Sequence, residues 1–411
     1  MRVEPFARSS NRPRLRTQGV RGTGEASGFP TRASAVGLFL AAAAATLGIG
    51  FREPRVEYGY ECVLFTLAAS WCVARGRSMA PIPGLLLAAI AAWGFSQLAM
   101  GATVYRYATL VSSLRFAALA ATAWVSFRVF GLYRLRMEFL RAFAWFGLAV
   151  AVTSVLAYFT SPGRILWLFD APYPDVWGSF LSRNNFAQFL ELAMPVALWL
   201  ALGEPPGSVL YLGFAAVMLA SGLASASRAG ASILVLEAIL MLWMYRKSPV
   251  ARRMTLGLVL ATALFAAMPG IGTLAGRLTA ADPYQVRREI AHSTVAMISS
   301  RPWTGFGLGT FPVVYPEYAR FDVGQSVEHA HNDWLEWAAE GGVGFVTVWI
   351  GLALWSARLA LLTGWGIGVV GCFLHGLVDY PFARFGVSAW IFILLGILAA
   401  IDLREVRAQR H

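Results

Sequence analysis

The chain has 411 residues, of which 57% are hydrophobic and only 14% charged, with a mean hydropathy of +0.59. Soluble domains carry about 25% charged residues, so this composition excludes a soluble protein and points to a polytopic membrane protein. The formal net charge of +12 reads as orientation signals in short loops, so membrane lipids are expected partners and nucleic acid is not.

Residues 1–33 are rich in Arg, Gly and Ser and read as a disordered basic tail. The basic stretch before Ala41–Ala45 is too long for an ordinary signal peptide, so this apolar run is assigned to an uncleaved first span. Apolar runs then predict spans at 35–51, 59–74, 80–100, 107–127, 139–160, 184–203, 207–225, 230–245, 254–271, 341–362, 364–380 and 384–402. Only helices satisfy their own backbone in lipid, so the expected fold is an all-α polytopic membrane protein of about twelve transmembrane helices. In this reading 34–271 hold spans one to nine and 272–340 form one long loop containing short helices. Residues 341–403 hold the last three spans, and 404–411 are a second tail. Cys62, Cys72 and Cys372 fall in apolar spans without any CxxC pattern and read as small buried hydrophobes.

Arginine and lysine set the orientation. Clusters such as Arg134, Arg136 and Arg141, or Arg246, Lys247, Arg252 and Arg253, place their loops and both termini in the cytoplasm. The long loop then faces outward. Arg183, Arg228, Arg287 and Arg288 fall on that outer side, where the positive-inside rule does not account for them. Guanidinium groups match phosphate oxygens in a bidentate fork, so a lipid-linked pyrophosphate is a natural partner.

The outer-facing motifs follow in chain order. Arg183 lies in Ser182-Arg183-Asn184-Asn185, at the mouth of the sixth span, where Ser and Asn donors including Asn184 suit an anion better than a bare snorkelling anchor does. Glu191, two turns deeper on a similar face, reads either as a buried pair or as a helper that orients an arginine. Arg228 lies in the short turn Ser225-Ala226-Ser227-Arg228-Ala229-Gly230, whose hydroxyls and small residues also favour an anion. Tyr284 to Ser299 reads as an amphipathic helix with Ile290, Val295, Ala296 and Ile298 as its apolar contacts. Arg288 is the preferred third phosphate contact there, with Arg287 its competitor. The stretch Pro302 to Phe311 carries three alternating glycines without the strand of a dinucleotide site, and reads as a turn or a cleft wall.

The segment Glu328 to Gly342 concentrates histidines and carboxylates in an otherwise apolar chain. His331 precedes a helix expected to start near Asn332 or Asp333, with Trp334, Leu335 and Ala338 facing the bundle. An imidazole near its own pKa can take a proton from a sugar hydroxyl, so His331 is the candidate base, with His329 competing and Glu328 a helper. A metal site from His329, His331, Glu328 and Asp333 lacks a distant third ligand, so no metal is expected. His375 and Asp379, at i and i+4, are expected to touch and steady the site.

Together these segments, across roughly 180–385, resemble the O-antigen ligase family of bacterial membrane glycosyltransferases, which takes in related O-antigen and exopolysaccharide polymerases. The resemblance rests on Ser182-Arg183-Asn184-Asn185, Ser227-Arg228-Ala229-Gly230, the Pro302 to Phe311 turn, His331-Asn332-Asp333-Trp334-Leu335 with Glu340-Gly341, and His375-Gly376-Leu377-Val378-Asp379. It implies a multi-pass protein of the bacterial inner membrane whose long loop is periplasmic and catalytic. It also implies inverting transfer of a glycan from undecaprenyl pyrophosphate to a lipid or saccharide acceptor, without cofactor or metal. By resemblance, Arg183, Arg228 and Arg288 hold the pyrophosphate and His331 activates the acceptor hydroxyl. Ligase and polymerase share this donor chemistry and are not separated by sequence. A peptidoglycan polymerase of the shape, elongation and division class would lean on an outer-loop aspartate and a divalent metal. A flippase or transporter of lipid-linked sugars would need charges deep along a path, whereas here they cluster at one face.

Overall fold

The computed structural model describes residues 29–48, 54–73, 78–172, 176–202, 207–247, 255–257, 259–261, 263, 276, 285–320, 324 and 326–408. The basic tail to residue 28, most of the expected ninth span and the final residues lie outside them. The elements described in full begin with α1 Phe29–Gly48, α2 Pro54–Val73, α3 Pro81–Met100, α4 Arg106–Phe130 and α5 Tyr133–Thr160. A small antiparallel hairpin follows, β1 Arg164–Ile165 against β2 Phe169–Asp170, with Arg164 opposite Asp170. The remaining helices are α6 Arg183–Leu200, α7 Gly207–Ala224, α8 Arg228–Met244, α9 Gln285–Ser300, α10 Phe311–Tyr318, α11 Asp333–Thr363, α12 Ile367–His375 and α13 Phe385–Ala408.

Among the described residues, five helices are long and apolar enough to cross a bilayer: Thr31–Gly48 of α1, and α3, α4, α5 and α11. Val209–Ala224 and Phe385–Ile401 are shorter apolar helices. The chain is an all-α membrane protein. Helix α6 is buried on every side from Asn185 to Leu198, and α13 from Val387 to Ala400. A helix that is apolar all round belongs at the centre of a bundle, and α6 packs against α5, α7, α8 and α12 while α13 packs against α4 and α1.

Three expectations are corrected. Helix α1 begins at Phe29, inside the stretch read as a tail, because Pro30 is tolerated in a first turn where its missing N–H has no partner to lose. Cys62 and Cys72 lie on the outside of the bundle and only Cys372 is buried. The run 364–380 holds a helix of nine residues, about 13 Å long, which is too short for a hydrocarbon core of about 30 Å. It stops at His375 because the next residues form a turn held by the start of α11, where the Asp333 amide donates to Gly376 O at 2.8 Å and to Asp379 O at 3.2 Å.

Helix α11 bends at Gly342, which has φ 75° and ψ 178°. A bend frees carbonyls that nothing in lipid would satisfy. Here the glycine-rich turn after α9 supplies the donors: Phe306 N to Ala339 O at 3.0 Å and Gly307 N to Glu340 O at 2.9 Å. Gln97 Nε2 also reaches Glu340 O, at 2.8 Å, and Trp93 Nε1 reaches Gly341 O at 3.0 Å. Val343 N returns the favour to Pro302 O at 2.8 Å. The backbones are pressed together: a Cβ on Gly342 would stand 2.3 Å from Trp303 O, and one on Gly305 would stand 2.3 Å from Glu340 O. Gly342→Ala is therefore expected to cost at least the roughly 1–3 kcal/mol of a strained backbone. Thermal unfolding of the detergent-solubilised variant measures it, and an unchanged midpoint would contradict the steric argument.

The loop helix α9 buries Ile290, Ser293, Thr294 and Met297. Val295, expected to face inward, is exposed. Its buried stripe runs one position off the predicted one, with Ser293 and Thr294 inside, and Thr294 Oγ1 turned back to Ile290 O at 2.7 Å.

Candidate active site

Three helices start at one place, each with a polar cap. Ser182 Oγ accepts from Asn184 N at 3.2 Å at the start of α6, and Ser227 Oγ accepts from Gly230 N at 3.2 Å at the start of α8. Asn332 Oδ1 accepts from Leu335 N at 3.0 Å at the start of α11. These caps satisfy orphan amides and leave the positive ends of the helix dipoles facing out. The first helical residues are Arg183, Arg228 and Asp333. The chain turns into two of these caps through left-handed residues that are not glycine, Ala226 at φ 53° and His331 at φ 51°. Such conformations are uncommon and gather at functional sites.

Side chains tie the three starts together. Ser227 Oγ donates to Asn184 Oδ1 at 2.8 Å. Asn184 Nδ2 donates in turn to Asp379 Oδ2. Asp379 is the hub. Its side chain is only 3% exposed, with His331 Nδ1 3.5 Å from Oδ1 and Arg287 Nη2 3.8 Å from Oδ2. Tyr380 N donates to Oδ1 at 3.0 Å, and Arg287 Nη1 donates to Val378 O at 2.8 Å. Burial by itself would raise the Asp379 carboxyl, but the contact with His331 and the charges of Arg287, His375 and His331 outweigh it and hold it at about 2. An unfolded aspartate titrates near 3.9. The folded value is the lower one, so the stabilisation is complete above about pH 4 and is lost as pH falls through about 2. Acid unfolding of the solubilised protein should therefore steepen over that window. Asp379→Asn should flatten this limb, and an unaltered limb in the variant would refute the assignment.

Around this hub stands an aromatic and acidic frame. The Tyr380 ring stacks on His329 at 4.4 Å and meets the edge of His331 at 5.0 Å. Arg384 Nη2 donates to the Tyr380 hydroxyl at 3.0 Å, and its guanidinium lies over the ring at 4.7 Å. His329 Nδ1 pairs with Glu336 Oε1 at 2.9 Å, and Glu336 Oε2 accepts from Ala330 N at 2.8 Å. The His331 side chain remains 32% exposed, close to the 33% of Arg287. Asn332 Nδ2 donates to Leu377 O at 2.7 Å, so the cap also grips the Asp379 turn.

The structure thus gathers Asn184, Ser227, Arg287, His331, Asn332 and Asp379, with Arg183 and Arg228 on the backbone beside them. Arg287, half-buried, is the one of its pair that reaches Asp379, while Arg288 is exposed on α9. Glu328 is exposed. His329 turns to Glu336, and Asp333 Oδ2 accepts from Phe382 N at 3.1 Å. The His375 ring does not pair with Asp379: its Nδ1 meets Glu191 Oε1 at 2.7 Å, while its backbone carbonyl takes the Asp379 amide at 2.9 Å. The expected inward face of α11 is corrected in part, since Trp334 does pack on the bundle, its ring 5.3 Å from Trp337 and 6.0 Å from Phe373. Asp333, Glu336, Trp337 and Glu340 are buried, whereas Trp334, Leu335 and Ala338 are half-exposed. Tyr380, Arg384 and Glu336 were not read from sequence; for Glu336 the signal was a carboxylate in the first turn of a capped helix, placed to reach back to a preceding amide.

Residues 213–344 match the family model described as O-Antigen ligase. The match runs from α7 into α11 and takes in the Ser227-Arg228 turn, the loop helices and His331. No curated protein matches the chain. Over residues 213–344 the chain is thus similar to the O-antigen ligase family, which supports the resemblance read from the sequence.

Proposed function

We propose that this membrane protein is an inverting, metal-independent glycosyltransferase that moves a glycan from undecaprenyl pyrophosphate to an acceptor hydroxyl of lipid A-core or another surface acceptor. The carrying observation is the junction of capped helix starts led by Arg183 and Arg228, joined through Ser227, Asn184 and Asp379 to His331. Helix N-termini and guanidinium groups favour phosphate oxygens. In the proposed reaction the acceptor oxygen attacks the anomeric carbon as the bond to the pyrophosphate breaks on the opposite face. The electron pair leaves on the pyrophosphate, where the arginines stabilise the added charge. His331 takes the hydroxyl proton. Nδ1 lies 3.5 Å from Asp379 Oδ1 without a hydrogen bond to it, so in the reaction a proton held at Nδ1 leaves Nε2 as the accepting atom, and the nearby carboxylate stabilises the imidazolium that forms.

The placement of this site at the periplasmic face and a cytoplasmic N-terminus are parts of the same proposal, supported by the distribution of arginine and lysine. Purified protein in proteoliposomes, given a labelled glycan on undecaprenyl pyrophosphate and an acceptor, should transfer the label and release undecaprenyl pyrophosphate. Movement of the donor between leaflets without transfer would favour a flippase instead. The polysaccharide profile of a deletion strain separates the two family activities: intact but unattached chains indicate a ligase, and single unpolymerised repeats a polymerase.

A further inference from the structure

Below the site, inside the bundle, Glu191 of α6 and His375 at the end of α12 meet at 2.7 Å with both side chains 0% exposed. Such a pair is expensive to bury, and apolar residues of similar volume are often as stable or more so. Its burial is also incompletely compensated, because Glu191 Oε2 and His375 Nε2 have no hydrogen-bond partner among the described residues. Stability alone therefore does not explain it.

Geometry supplies another reason. Asn184 and Glu191 are seven residues apart, two turns of α6, and so lie on one face. Asn184 bonds to Asp379 and Glu191 to His375, and both partners belong to the same short segment. The two helices are tied by two rungs, one at the site and one within the bundle. The His375 carbonyl accepts both the Val378 and the Asp379 amides at 2.9 Å, so the place of His375 sets the place of Asp379. Gly368 lets α12 come this close: a Cβ there would stand 2.2 Å from Glu191 O.

We propose that the Glu191–His375 pair is a positioning strut for glycan transfer, holding the Asp379 turn in register with the start of α6 so that Asp379 keeps His331 aligned. This rests on the transfer reaction proposed above and assigns the pair no contact with substrate. Losing the strut lets Asp379 shift, and a displacement near 1 Å costs about 10²-fold in rate. The loss falls on kcat, because the donor's arginine contacts do not pass through His375.

The test compares Glu191→Gln, Glu191→Leu and His375→Asn in proteoliposomes, each with its thermal unfolding midpoint. Gln keeps the acceptor oxygen, and the Asn amide nitrogen stands in for Nδ1, so both should stay within a few-fold of the parent protein. Glu191→Leu should lose about 10²-fold in kcat with the donor KM and the unfolding midpoint unchanged or the midpoint raised. A fully active Leu variant, or activity that merely tracks the folded fraction, overturns the strut. A readout that does not need turnover separates this from failure of the transfer reaction itself. With only five histidines in the chain, the ring 15N signals of His331 can be followed in labelled protein. They should move in Glu191→Leu toward those of Asp379→Asn and stay in place in Glu191→Gln. Unmoved signals in the Leu variant overturn the strut even if the parent protein transfers nothing.

Discussion

Replacing His331 by alanine is expected to lower glycan transfer by about 10²–10⁴-fold, the usual contribution of a positioned acid–base group, while leaving the protein folded and the donor bound. The side chain is one-third exposed and its long contact with Asp379 is 3.5 Å, so its removal leaves little buried surface unfilled. The backbone favours the change less, because φ 51° at this position is tolerated less well by alanine than by histidine. His331→Gly relieves that strain, so loss of transfer in both variants ties the defect to the imidazole. Binding of undecaprenyl pyrophosphate, measured separately, should be retained. A His331→Ala protein that transfers at the parent rate would remove the base from the mechanism and return His329 to consideration, although that ring is engaged by Glu336 and Tyr380.

Asp379→Ala should be the most damaging single change for stability as well as activity. The carboxylate is buried and joins the Asn184 amide, the Arg287 guanidinium, His331 and the Tyr380 amide. Truncation leaves those groups facing an empty space, and each buried donor left unsatisfied costs about 1–3 kcal/mol. Asp379→Asn keeps the shape and much of the hydrogen bonding but loses the charge opposite Arg287, so it should cost less stability while still depressing transfer. Equilibrium unfolding of the two variants, read beside their turnover, distinguishes packing from charge. Equal stability of the Ala variant and the parent would show that Asp379 is not a hub.

Much of this locus is legible in the chain because its parts are local motifs. Ser182-Arg183-Asn184 and Ser227-Arg228 read as helix starts with donors, and His331 with Asn332 reads as the approach to a third. What periodicity misreads is the side on which α11 is buried. Trp334 packs on the bundle as its hydropathy suggests, but Leu335 and Ala338 stay half-exposed while Asp333, Glu336 and Glu340 go inside. Each carboxylate accepts a backbone amide that would otherwise be buried without a partner: Phe382 N, Ala330 N and Phe311 N respectively. The need to satisfy irregular backbone outweighs side-chain hydropathy there. The partner of Glu191 is illegible for another reason. It lies 184 residues away, and nothing in either local pattern specifies the pairing. The shortness of α12 is similarly tertiary, since its end is set by amide contacts from Asp333.

The bend at Gly342 gives α11 two mechanical parts. Above it, Asp333 to Gly341 is fastened to the glycine-rich turn, to Gln97 and Trp93 of α3, and to the Asp379 turn. Below it, Val343 to Thr363 continues a helix that is long and apolar enough to cross a bilayer. Helices answer a thicker or thinner bilayer chiefly by tilting. The bonds on both sides of the bend fix the direction of the upper part, so Asn332 and His331 at its head are held by protein contacts of their own and not by the lower part alone.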